Sequence, residues 1–185
     1  MATREFRESK RKSSDTDVGG LMQSQILSLS KGKIPVRGTI FVDSNGKLAA
    51  IVDNDEGLQS QGEFAGEAQY SIKGKTLVGV WVCTDFCESL SLQKEFNPPG
   101  ARVRGFMNLM TALEDIARLK ECEEITLSTW MFYAHPRLMH RLGYKPLNDE
   151  EADKHKNLAG IYKGGRPENW DDNSMLVKYV KKVTR

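Results

Sequence analysis

The chain is poor in cysteine, in long apolar runs and in excess charge of one sign, and each shortage removes a class of protein. Three cysteines, Cys83, Cys87 and Cys122, are too few and odd in number for a disulfide framework. Six prolines and 39% hydrophobic residues fit neither a fibrous nor a disordered chain. No apolar run approaches the ~20 residues of a membrane-spanning helix. Met1 is followed by polar and charged residues, so no secretory leader is expected. Charge of one sign is also lacking. The 27 Lys+Arg and 25 Asp+Glu leave a net charge of +2, too small for strong global attraction to nucleic acid or membrane. The expectation is a cytoplasmic protein with no membrane contact.

What is present fits a single domain behind a tail. The chain has 185 residues, enough to bury a core without staples. Residues 1–20 carry Arg4, Glu5, Arg7, Glu8, Lys10, Arg11 and Lys12 with few apolar partners. They read as a polar tail that orders only in an assembly. Residues 21–185 read as the folded unit. Leu21, Met22, Gln25, Ile26 and Leu29 recur at helical spacing, with Gly32 as a stop. Residues 36–42 and 48–52 read as a hairpin around the turn Asp43-Ser44-Asn45-Gly46. Gln69–Ile72 and Leu77–Val82 read as further strands. Phe106, Leu109, Met110, Leu113, Ile116, Ala117 and Leu119 trace a helix from about 104 to 120. A strand at Ile125–Leu127, a short helix opening at Pro136 and a last strand at Met175–Val180 follow. Residues 149–157 are charged and carry no assigned element.

The stretch from Leu77–Val82 through Arg102-Val103-Arg104-Gly105-Phe106-Met107 to Leu142-Gly143-Tyr144 resembles the core of the GNAT N-acetyltransferase superfamily. Arg102 and Gly105 match the first two fixed positions of its Gln/Arg-x-x-Gly-x-Gly/Ala loop. Leu142-Gly143-Tyr144 matches its Leu-Gly-Phe/Tyr corner. The resemblance implies an α+β fold, a mixed and mainly antiparallel sheet flanked by helices. It also implies transfer of an acetyl group from acetyl-CoA to an amine acceptor. The phosphates of coenzyme A would lie on Val82, Arg102, Val103, Arg104, Gly105, Phe106 and Met107. The physical reason is a helix N-terminus, whose first N–H groups lack intrahelical partners and whose dipole favours an anion.

Two positions depart from the family. Met107 stands where it has Gly or Ala. Met139 stands where a tyrosine commonly protonates the departing thiolate. Tyr133 and His140 are the nearby substitutes. Asp85 and Glu88, just past the Leu77–Val82 strand, are the expected bases, because an ammonium cannot attack a thioester until it loses a proton. The alternative expectation is a catalytically degenerate relative serving as a phage virion or interaction protein. Basic residues at both termini keep a nucleic-acid contact among the weaker expectations. Cys83-x-x-x-Cys87 is half a metal site at most, so no metal is expected and the cysteines read as free thiols.

Overall fold

The fold is that of a computed structural model, which describes residues 15–55, 64–83, 100–130, 136–161 and 176–184. The elements are α1 (Asp15–Leu29), β1 (Arg37–Val42), β2 (Leu48–Asp53), β3 (Gly66–Lys73), β4 (Thr76–Cys83), α2 (Ala101–Leu119), β5 (Glu124–Trp130), α3 (Pro136–Arg141), β6 (Lys145–Pro146), α4 (Asp149–Ile161) and β7 (Leu176–Lys182). The seven strands form one sheet in the order β2-β1-β3-β4-β5-β7-β6. Every neighbouring pair is antiparallel except β4 and β5. The fold class is therefore α+β with a mixed, mainly antiparallel sheet, as the resemblance implies. The parallel pair needs a crossover, and α2 lies between its two strands in sequence.

One face of the sheet carries the core. Ile40, Ala68, Leu77, Ile125, Leu127, Val177 and Tyr179 are buried with Leu109, Met110, Leu113, Ile116 and Ala117 of α2. Strand residues alternate between faces, so these apolar side chains share one side. Each fully buried aliphatic side chain contributes roughly 1.5–3 kcal/mol of transfer free energy.

The structure alters the sequence reading in four places. Helix α1 begins at Asp15, ahead of the Leu21 where the helical spacing starts. The long helix starts at Ala101, which places Arg102–Met107 inside its first turns and not in a loop. Residues 149–157 lie in α4, whose first turn holds Asp149, Glu150 and Glu151. Asn148 Oδ1 accepts the Glu151 N–H at 2.9 Å. An asparagine cap followed by acids at the positive end of the dipole is the local signal for this helix. Finally, Lys181 and Lys182 belong to β7, an interior strand between β5 and β6. Lys181 Nζ donates to Glu114 at 2.6 Å and Lys182 Nζ to Glu124 at 2.8 Å. Lys181 is thus a largely covered ion-pair partner of α2, whereas Lys182 keeps its ion pair at the surface. Among the described residues no helix is long and apolar enough to cross a membrane.

Helix α4 docks on β7 through polar groups. The Lys178 N–H donates to Glu151 Oε2 at 2.9 Å, and Tyr179 Oη lies 3.4 Å from His155 Nδ1. Burial holds the His155 imidazole below its ordinary range. The unfolded chain therefore binds a proton near pH 6.5 that the folded chain binds only at lower pH. Stability conferred by neutral His155 is present above that range and is lost as pH falls. The melting temperature should drop between pH 7 and pH 5, and the drop should be smaller in His155→Gln. Melting curves across that range check it, and identical drops in both proteins would remove His155 from the account.

Candidate active site

The two parallel strands part company at a defined point. Thr76, Leu77, Val78 and Gly79 of β4 pair with Glu124, Ile125, Thr126 and Leu127 of β5, and the pairing ends there. Both strands continue, β4 to Cys83 and β5 to Trp130. Beyond Gly79, β4 stays with β3: Gln69 faces Trp81, Ala68 faces Val82 and Glu67 faces Cys83. Beyond Leu127, β5 stays with β7: Ser128 faces Lys178 and Trp130 faces Leu176. The C-terminal halves of β4 and β5 thus open into a V.

A bulge marks the opening. Tyr70 faces Gly79 while Gln69 faces Trp81, so Val80 is an extra residue on β4. An extra residue bends its strand and increases its twist, here where β4 leaves β5. Gly79 lies at the last paired position, and a Cβ there would stand 3.2 Å from Leu127 Cβ. The facing edges beyond it keep backbone N–H and C=O groups that neither strand offers to the other.

Helix α2 begins at Ala101 behind a Gly100 cap that has φ 78° and makes no side-chain capping bond. The first helical N–H to find a helical acceptor is that of Arg104, which donates to Gly100 O at 2.9 Å. The N–H groups of Ala101, Arg102 and Val103 precede it and have no acceptor within the helix. The first turn holds no acid to neutralise the dipole. Val103 is exposed at 66%. These features suit an anion.

The expected phosphate residues fall into distinct places. Arg102 and Val103 lie in the first turn of α2, and Val82 lies in β4 within the opened half. Arg104 is exposed and donates Nη1 to Asn45 O at 3.0 Å. Gly105 is buried beneath the β1–β2 turn: a Cβ on Gly46 would stand 2.6 Å from Gly105 N and 2.5 Å from Ala101 O. Its backbone faces Gly46 and lies inside the helix. Phe106 is half-buried against the core. Met107 is half-buried, about 200° around the helix from Gly105, and stays clear of that contact.

The expected acid and base residues are less fully placed. Asp85, Glu88 and Tyr133 lie outside the described residues, as does Cys87. His140 is exposed in the last turn of α3. Met139 is buried in the core, and its carbonyl accepts the Tyr144 N–H at 3.0 Å. The Leu142-Gly143-Tyr144 corner is held from both sides. Gly143 has φ 80°, Tyr144 is buried, and Lys181 Nζ lies 5.5 Å from the Tyr144 ring centre. Cys122 is a buried free thiol whose pKa burial pushes up. Among the described residues no group of His, Cys, Asp and Glu could hold a metal.

One carboxylate that sequence reasoning passed over lies near the opening. Glu67 of β3 stands opposite Cys83, at the level where β4 has left β5. It is half-buried, on the sheet face opposite the core, and accepts Gln69 Nε2 at 3.3 Å. Its strand context gave no motif. Only pairing with β4 brings it to this level.

No family model matches the chain, and no curated protein matches it in sequence. Solved structures do match. An acetyltransferase from Bacillus cereus shares 13% identity over 97% of each chain, with a TM-score of 0.41. Nourseothricin acetyltransferase shares 15% identity over 80% of this chain and 85% of its own, with a TM-score of 0.39. A candidate N-acetyltransferase from Lactobacillus plantarum shares 13% identity at a TM-score of 0.39, and the match spans 65% of this chain and 62% of that one. Identity this low and superposition this partial transfer no activity to this chain.

Proposed function

We propose that this chain is an acyl-CoA-dependent N-acyltransferase, moving an acetyl group from acetyl-CoA to an amine. The parting of β4 and β5 at the Val80 bulge carries the reading. An open V between parallel strands offers a backbone edge, and an amide-bearing chain such as pantetheine can pair with such an edge. The first turn of α2 supplies N–H groups of the kind that hold a pyrophosphate. Exposed Arg104 adds a fixed cation beside them. These donors suit acetyl-CoA, which brings the activated acyl group. The residues of this chain then bind, align and exchange protons.

Backbone N–H groups near the bulge polarise the thioester carbonyl, as preorganised donors do for a developing oxyanion. Glu67 takes the proton that the amine must lose, directly or through water. Asp85 and Glu88 remain the alternatives to Glu67 that the resemblance implies. Tyr133 and His140 stand in the same position for the acid.

Calorimetric titration with acetyl-CoA tests the reading. Binding near micromolar is expected. Val103→Glu should weaken it about tenfold, since a carboxylate enters the first turn of α2 where phosphate oxygens would lie. An acid in that turn also favours the helix itself, so lost binding will not reflect unfolding. Gly105 makes a poor probe because it is buried beneath the β1–β2 turn. No binding at millimolar acetyl-CoA would overturn the enzyme reading. A degenerate fold with a structural role, such as a virion component, would then stand in its place.

A further inference from the structure

The β1–β2 turn contacts α2 tightly at the helix's first two turns. Asn108 Nδ2 donates to Gly46 O at 2.7 Å. Arg104 Nη1 donates to Asn45 O at 3.0 Å. Gly46 packs so close that any Cβ would stand 2.5 Å from Ala101 O and 2.6 Å from Gly105 N. The turn itself is stiff. Asp43 Oδ1 accepts the N–H groups of Asn45 at 2.8 Å and Lys47 at 2.9 Å, and the Gly46 N–H donates to Asp43 O at 2.8 Å. Behind it stands the β1–β2 ladder, and Gln25 of α1 donates Nε2 to Leu48 O at 3.3 Å.

Such a contact has no counterpart in the needs of the core. The apolar face of α2 already seats the helix on the sheet through Leu109, Leu113, Ile116 and Ala117. That face holds the first turn least, since Val103 and Arg104 there are exposed, while Ala101 is buried. Ala101–Val103 lie there, ahead of the first intrahelical bond, with only a glycine as cap. An uncapped first turn frays readily. The same turn also holds the guanidinium of Arg104, an exposed group that would otherwise sample many rotamers.

We propose that the β1–β2 turn is a positioning brace for the phosphate end of the site. Gly46 and Asn108 fix the first turn of α2, and Asn45 O fixes the guanidinium of Arg104. The proposal rests on the acyl-CoA reading above and deepens it. It assigns a role to three residues outside the 102–107 motif, Asn45, Gly46 and Asn108. The turn acts by preorganisation: ordering is complete before the ligand arrives, so binding does not bear its cost. Gly105 then serves the site indirectly, by letting the turn approach the helix backbone.

The test compares wild-type protein with Asn108→Ala, using coenzyme A as the probe. The substitution deletes one hydrogen bond on a half-buried position and leaves the apolar face of α2 intact. One such bond is worth about 1 kcal/mol, so the Kd should rise about fivefold. A merely structural role would move stability but not the salt dependence of binding. Loss of the brace should flatten the slope of log Kd against log salt, because the aligned N–H groups and Arg104 then meet the phosphates less well. Weaker binding with a flatter slope supports the brace. Unchanged affinity, or weaker binding with the wild-type slope, overturns it while leaving the acyl-CoA reading standing. Failure of the wild-type protein to bind coenzyme A overturns the acyl-CoA reading, and the brace falls with it.

Discussion

Glu67→Gln is expected to lower turnover of acetyl-CoA with primary amines by about 100-fold or more while leaving acetyl-CoA affinity within a factor of two or so. The pair of readouts follows from position. Glu67 lies on β3 opposite Cys83, one strand away from the opened edge of β4. Under the proposed acyltransferase reading Glu67 serves the acceptor, from the sheet face opposite the one that α2 covers. Glutamine keeps the shape and can still accept the Gln69 Nε2 bond, but it cannot hold a proton. Turnover can be followed as free thiol released from acetyl-CoA in the presence of a panel of amines. The variant should recover part of its rate as pH rises, since more acceptor is then already deprotonated. If the variant turns over as wild type at neutral pH, Glu67 is not the base, and Asp85 or Glu88 becomes the residue to replace.

Gly46→Ala should be the most damaging single methyl in the described fold. Two penalties coincide. Gly46 has φ 76°, which costs an L-residue about 1–2 kcal/mol. The added Cβ would also stand 2.5 Å from Ala101 O and 2.6 Å from Gly105 N, both backbone atoms of α2. Backbone cannot rotate away as a side chain can, and overpacking of this kind costs about 1–3 kcal/mol more. A combined loss of roughly 2–5 kcal/mol corresponds to about 5–15 °C in melting temperature at this chain length. Gly74→Ala supplies the control. Gly74 has φ 58°, and a Cβ there would meet nothing within 4 Å, so it carries the backbone strain alone. Equal melting temperatures for the two variants would mean that the turn and helix separate without cost, and the close contact would lose its energetic meaning.

Much of the fold was legible in sequence because local periodicity and local packing agree. The apolar spacing from Phe106 to Leu119 predicts a helix, and α2 is that helix. Gly46 predicts the hairpin turn, and β1 and β2 pair around it. Boundaries fared less well. Arg102-Val103-Arg104 lacks an apolar stripe, so its helical state comes from extending α2 back to Gly100. The 149–157 segment looked merely charged because its signal is a cap and an acidic first turn, with little hydrophobic pattern.

The candidate site divides differently. Sequence placed basic residues and a glycine near a helix start, which is a statement about neighbours in the chain. It assigned Gly105 to a phosphate cradle. The structure sets Gly105 against Gly46, 59 positions earlier by subtraction of the two residue numbers. The strand Leu77–Val82 was read correctly as a strand, yet neither the Val80 bulge nor the parting from β5 has a local signature. Glu67 stayed invisible for the same reason.

By itself, then, the sequence determined most of the helices and strands, the apolar faces that form one core, and a helix start near Arg102–Gly105. Each of these depends on interactions within a few residues, where φ preferences and side-chain period act directly. Only the tertiary structure decided where β4 and β5 separate, which glycine serves the turn contact, and which carboxylate stands beside the opening. Those features depend on the register of one strand against another, and register is set by packing across the whole sheet.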